Sequence, residues 1–233
     1  TDLSCYVYRV YLFEVRVESM TFYMMYQPKN YLNRFHSFSF SNSIEEIMII
    51  FEKVVDNIES STSKVHEGRK ANGTYFSHYE TPTTKKIFNL IQQQIAAVDF
   101  RSAEPLTVLS YSPGGHYAPH FDFLPFANEE QEKKDELTGR LGNRLITFLM
   151  ILKTADVGGG TVFPRMDSTI QPEVGDAILW FNMHVSYNKD EESLHGACPI
   201  YEGNKIAATL WVRRVGHELL IPCRKDGEYD IQV

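Results

Sequence analysis

In the C-terminal half of the chain the apolar residues fall in short runs: "LTVLSY", "HYAPHFDF", "RLITFLMIL", "GTVFP", "AILWF" and "KIAATLWVRR". Turns rich in Gly, Pro, Asn and Asp separate them, a pattern that predicts a sandwich or barrel of short strands. The upstream pattern is different. In "SNSIEEIMIIFEKVVDNIE" the residues Ile47, Ile50, Phe51 and Val54 share one helical face, and Ser43 with Glu46 forms a capping box. A second helix is expected from Thr81, a cap, and Pro82 at the first helical position, with Ile87, Leu90, Ile91 and Ile95 as its apolar stripe. The intervening "SSTSKVHEGRKANGTYFSHYETPTT" reads as a polar loop or hairpin, and the charged insert "ANEEQEKKDELTGRLGN" as a solvated loop. The aromatic-rich N-terminus alternates well enough for one or two strands.

With 233 residues, 43% of them hydrophobic, the chain is long enough for a substantial core. We read one domain in three parts: residues 1–103 as N-terminal strands and supporting helices, 104–223 as the β-core, and 224–233 as a tail. A net charge of −7 gives no basic signal for nucleic acid. No apolar run approaches the roughly 18 to 20 residues of a membrane span, so no transmembrane segment is expected. The chain opens on Thr1 rather than Met, as a fragment or processed chain would, and its start lacks the pattern of a signal peptide. Asn72-Gly73-Thr74 is a glycosylation sequon, a triplet that also arises often by chance. The cysteines, Cys5, Cys198 and Cys223, form no CxxC pair and read by default as buried thiols.

The chemistry lies in "YSPGGHYAPHFDF". If this segment is a strand, His120 and Asp122 point to the same face, because residues two apart do. A carboxylate turned into a sheet interior needs a metal, an arginine or a lysine beside it. His195 offers a further imidazole. Lys205 then opens a strand whose alternate residues, Lys205, Ala207, Thr209 and Trp211, make a small, polar face. An inward ammonium among such residues points to an anion pocket. Two His and one carboxylate can hold Fe(II) on one face and leave positions open for a 2-oxo acid and O2. The glycines of "GGGTVFP" supply backbone freedom at a turn. His116, His184 and His217 are assigned no role.

From about Thr107 to Cys223 the chain resembles the catalytic domain of the 2-oxoglutarate/Fe(II) dioxygenases, and within them the collagen-type prolyl 4-hydroxylase alpha subunit. The resemblance rests on "YSPGGHYAPHFDF", "GNRLITFLMIL", "GGGTVFP", "PEVGDAILWFN", "LHGACPIYEGNKIAATLWV" and "HELLIPC". It implies an α+β, mainly β fold: a double-stranded β-helix (jelly-roll) core with N-terminal helices packed on one sheet. It also implies His120, Asp122 and His195 as iron ligands and Lys205 as partner of the far carboxylate of 2-oxoglutarate. Tyr111 would hydrogen-bond that co-substrate, and Thr147 and Trp211 would line the same pocket. The implied reaction is peptidyl-proline 4-hydroxylation coupled to oxidative decarboxylation of 2-oxoglutarate to succinate. The implied cofactors are Fe(II), 2-oxoglutarate, O2 and ascorbate. The resemblance further implies a disulfide between Cys198 and Cys223, worth about 3 kcal/mol in the chain-entropy model. An oxidising compartment, the endoplasmic reticulum lumen, follows from it. Implied partners are a proline-containing or collagen-like peptide and a disulfide-isomerase-type subunit. The alternatives are a dioxygenase acting on another peptide side chain, and a non-catalytic jelly-roll binding module.

Overall fold

The computed structural model describes residues 13–17, 20–24 and 68–217. In chain order the strands β1 (Phe13–Val17), β2 (Met20–Met24), β3 (Arg69–Lys70) and β4 (Asn72–Phe76) lead to helix α1 (Pro82–Gln94). The central part holds β5 (Leu106–Tyr111), β6 (His116–His120), α2 (Glu129–Lys134), α3 (Glu136–Leu141), β7 (Arg144–Lys153), β8 (Val157–Gly158) and β9 (Thr161–Phe163). The remainder is β10 (Ser168–Ile170), β11 (Ala177–Phe181), β12 (His195–Ala197), β13 (Ile200–Glu202) and β14 (Lys205–Arg213). The fold is mainly β, a jelly-roll. A seven-stranded sheet runs β1-β2-β11-β7-β14-β5-β4, a five-stranded sheet runs β10-β9-β12-β6-β3, and β13 pairs with β8 in a small ribbon.

The strands β5, β7, β11 and β14 of the major sheet are buried on both faces, and each sorts its residues accordingly. On one face Leu106 and Val108 of β5, Ile146 and Phe148 of β7, and Ala208, Leu210 and Val212 of β14 form a single cluster with Ile87, Phe88, Ile91 and Ile95 at α1. The helix starts where the sequence places it. Thr81 is the N-cap: its hydroxyl accepts from the Thr84 N–H, and the Thr84 hydroxyl oxygen accepts from the Thr81 N–H. It stops at Gln94, with Ile95 as C-cap, so the last apolar residue of the stripe is the cap and not a helical position. The helix expected in the stretch 41–59 lies outside the described residues, as does Cys223.

Two expectations are corrected. The insert before β7 is not a loop: it forms α2 and α3. Asn128 accepts from the Gln131 N–H, Asp135 accepts from the Thr138 N–H, and Lys133 and Lys134 pair with Glu129 and Glu130 one turn earlier. Caps and i,i+4 pairs stabilise short polar helices that have no apolar stripe. Strand β6 also ends sooner than "HYAPHFDF" implies. It stops at His120, and Asp122 sits in the bend beyond it. Other turns behave as read: Gly158 and Gly159 take positive φ (90° and 75°), and a Cβ at Gly158 would strike the Pro199 carbonyl oxygen.

The opposite face of the major sheet looks toward the five-stranded sheet. Leu149, Ile178 and Trp180 of the major sheet meet Phe163 and Ile170 of the minor one in a second cluster. Beside that cluster the sheets enclose a cavity.

Candidate active site

The cavity, whose roughly 460 Å³ of empty space includes a part open to solvent, takes its wall from both sheets. The major sheet supplies alternate residues of β14, namely Lys205, Ala207, Thr209 and Trp211, with Tyr111 from β5 and Thr147 from β7. Cross-strand register groups them: Lys205 lies opposite Tyr111, and Trp211 opposite Thr147. Directly opposed side chains share a face. The minor sheet supplies His120 from β6 and His195 from β12, which are also directly opposed.

Three of these donors converge. One ligand atom from each of His120, Asp122 and His195 lies within 4.8 Å of the others. The His120 Nε2 is 3.7 Å from Asp122 Oδ1, and the His195 Nε2 is 3.5 Å from Asp122 Oδ2. In both rings the other nitrogen is already engaged: Nδ1 of His120 meets the Ala118 carbonyl at 2.9 Å, and Nδ1 of His195 meets the Ser193 carbonyl at 2.8 Å. A carbonyl only accepts, so each Nδ1 carries a proton and each Nε2 is the nitrogen that faces the centre. Burial, and then the neighbouring His195, push the His120 pKa down to about 4, so this ring is neutral at pH 7. Burial works against the Asp122 carboxylate, but His195, His120, Arg144 and the Thr147 hydroxyl together hold its pKa below the usual value. Two imidazoles with oriented partners and an ionised carboxylate form a donor set that fits a divalent metal.

Lys205 is 3% exposed. Its Nζ donates to the Gly159 carbonyl at 2.6 Å, and no carboxylate among the described residues pairs with it. Burial lowers its pKa to about 8. A buried ammonium without a counter-charge is costly, and an anion entering the cavity would relieve it. Burial raises the pKa of the neighbouring Tyr111, so its hydroxyl keeps its proton and can donate.

Around the cluster, Thr147, which the resemblance placed in the pocket wall, is joined by residues the sequence did not single out. Thr147 donates its hydroxyl to Asp122 Oδ2 at 2.7 Å, so that group is committed to the cluster, not aimed at free space. Arg144 forks onto Glu104 at 2.7 and 2.8 Å, stacks 3.8 Å from the Trp211 ring and reaches within 3.9 Å of Asp122 Oδ1. Arg213 joins the same Glu104 at 2.8 Å. Tyr117 stacks on His120 with ring centroids 3.6 Å apart. Arg144 opens an apolar run and Glu104 precedes a proline. Nothing in their spacing could have tied them to Asp122.

Two imidazoles and a carboxylate converging between the sheets of a jelly-roll define a candidate mononuclear metal centre with open coordination positions. Family comparison makes this specific. Residues 106–213 match the 2OG-Fe(II) oxygenase superfamily. Curated relatives include prolyl 4-hydroxylase subunit alpha-1 of Homo sapiens, 36% identical over 155 residues, which is 66% of this chain and 28% of that protein. Subunit alpha-2 of Gallus gallus is 36% identical over 157 residues, with the same coverage of each chain. The chain thus matches just over a quarter of the length of these relatives. Among solved structures, the viral collagen prolyl hydroxylase from Paramecium Bursaria Chlorella virus-1, in complex with 2OG, superposes with a TM-score of 0.55 at 24% identity. It covers 74% of this chain and 91% of the viral protein. A Pseudomonas putida prolyl-4-hydroxylase gives a TM-score of 0.53 at 14% identity, covering 76% of this chain and 88% of the bacterial one. These neighbours share the fold.

Proposed function

We propose that this chain hydroxylates peptidyl proline at carbon 4 and couples the reaction to oxidative decarboxylation of 2-oxoglutarate to succinate. The observation that carries the reading is the meeting, in one cavity, of the His120–Asp122–His195 cluster and an ammonium, Lys205, with no counter-charge among the described residues. The 36% identity to prolyl 4-hydroxylase alpha subunits supports proline as the target.

On this reading His120, Asp122 and His195 hold Fe(II), each imidazole through Nε2, with Nδ1 fixed by a backbone carbonyl. Lys205 pairs with the distal carboxylate of 2-oxoglutarate, and Tyr111, opposite it in register, adds a hydroxyl donor. Thr147 serves the site by holding Asp122. Trp211, braced by Arg144, forms a flat wall of the cavity. With Fe(II), 2-oxoglutarate and O2 bound, the metal centre supplies the oxidising chemistry, and the enclosing sheets exclude water from it.

Four further elements belong to the same proposal: ascorbate to keep the iron reduced, residence in the endoplasmic reticulum lumen, a disulfide between Cys198 and Cys223, and a disulfide-isomerase-type subunit. The burial of Cys198 supports the pairing. Asn72 is exposed on the edge strand β4, where a glycan has room.

The test is succinate release from 2-oxoglutarate with Fe(II) and ascorbate, with and without a (Pro-Pro-Gly) repeat peptide, followed by mass spectrometry of the peptide. Peptide-stimulated turnover with a gain of one oxygen on proline is expected. Turnover that the peptide does not stimulate would transfer the activity to another side chain, and no turnover would leave a binding module.

A further inference from the structure

The metal-site reading explains why Asp122 is buried, but not how a carboxylate beyond the end of its strand is aimed. The answer lies on the neighbouring strands. Trp180 closes on Asn182, its indole Nε1–H donating to the amide Oδ1 at 3.0 Å. The Asn182 Nδ2 donates to the Thr147 hydroxyl oxygen at 2.8 Å, and the Thr147 hydroxyl donates to Asp122 Oδ2 at 2.7 Å. Trp180, Asn182 and Thr147 are 2%, 0% and 1% exposed, so no bulk water competes for these groups.

The direction of every bond follows from the first. An indole N–H can only donate, so it must face the carbonyl oxygen of the Asn182 amide, and the amide cannot flip without stranding it. The amide nitrogen therefore faces Thr147 and can only donate. That occupies an acceptor lone pair of the hydroxyl and leaves its single proton one useful acceptor, Asp122. The backbone of Asn182 is pinned as well: its N–H donates to the Leu145 carbonyl at 2.8 Å, and its carbonyl accepts from the Asp190 N–H at 3.0 Å. The same Trp180 ring lies 4.6 Å from the His195 ring. One indole thus packs against one ligand of the cluster and, through two side chains, orients another.

We propose that Asn182 and Trp180 are positioning residues of the metal centre, acting through Thr147 to fix the Asp122 carboxylate for metal binding. The proposal rests on the reading of His120, Asp122 and His195 as a metal site. Outer hydrogen-bond partners of metal ligands typically contribute about 10- to 100-fold in affinity.

The experiment measures Mn(II) and Co(II) affinity of the full chain by calorimetry, with the Co(II) visible spectrum as a second readout and no turnover required. Thr147→Val and Asn182→Leu should each weaken binding by about tenfold or more and alter the Co(II) band pattern, while Thr147→Ser, which keeps the hydroxyl, stays near the parent. The double variant should bind no more weakly than the worse single one, because both changes remove the same oriented bond. A purely structural role would give additive losses and an unchanged spectrum in the folded protein. Either that result, or parental affinity in folded Asn182→Leu, overturns the proposal. If Asn182→Leu does not fold, Trp180→Phe removes only the indole donor. It should weaken binding, and its cycle with Thr147→Val should again be non-additive; parental binding by Trp180→Phe would then overturn the proposal. A parent chain that binds neither metal would sink the metal-site reading itself, a failure distinct from metal binding that is indifferent to Asn182.

Discussion

Strand β14 turns Ile206, Ala208, Leu210 and Val212 toward the helix-side cluster, and Lys205, Ala207, Thr209 and Trp211 toward the cavity. The helix side is apolar throughout and close-packed against α1. Among the described residues, the ammonium on the cavity side has no counter-charge, and the Trp211 indole Nε1 is buried with no hydrogen-bond partner. Both faces are buried, yet only one is satisfied by the protein itself. Evolution keeps a buried charge and an orphan donor where something else completes them, so the contrast between the faces marks the site more clearly than burial does.

The sharpest way to break this contrast is to make the cavity face resemble the other one. Lys205→Met replaces the ammonium with an apolar chain of similar length. On the proposed reading the KM for 2-oxoglutarate rises by about 30-fold or more, the effect of losing one partner of a buried charge pair. The thermal midpoint should not fall, since burying the ammonium opposes folding. Steady-state kinetics and a melting curve check both parts; an unchanged KM would remove Lys205 from the pocket's chemistry. Leu210→Ala probes the helix side. Leu210 is fully buried, so the change should destabilise the protein by about 2 to 5 kcal/mol in denaturant titration while the KM of the folded protein stays put. A large KM shift would mean that the faces are not independent.

The smallest expected effect is a pH response. Lys205 titrates at about 8 in the fold and at 10.5 in its ordinary environment. Below pH 8 it is charged in the fold and can pair with a carboxylate. Above that the charge is lost and the KM for 2-oxoglutarate rises. Stability moves the other way: between the two pKa values the unfolded chain binds more protons, so this group's contribution to stability increases with pH. Measuring KM and unfolding free energy from pH 7 to 10 separates the two trends, and a KM that stays flat across that range would refute the assignment.

How much of this was legible in the sequence depends on whether the signal was local. The strands β5, β7, β11 and β14 follow their apolar runs to within a residue, because period-2 burial is written into the residues themselves. The cap at Thr81 is equally local. The acidic insert misled because helices without an apolar stripe give no periodic signal, and their caps are weak alone. The strand reading of His120 and Asp122 put both on one face. The chain instead leaves the sheet after His120, and Asp122 reaches the cluster from a bend. Lys205 stood out because a charge inside an alternating strand breaks a local rule. Arg144, Glu104 and Asn182 break none. Their partners lie 40, 40 and 35 residues away, and only the folded sheet brings them together.

The bond from Lys205 Nζ to the Gly159 carbonyl has a consequence for ligand design. It holds the amine in one rotamer before any guest arrives, so a guest's acidic tail meets a pre-aimed cation and loses little in searching for it. Small molecules meant to block this pocket should carry an anionic group at that end. A neutral amide or nitrile placed there would leave the cation as exposed to its own burial as it was when alone.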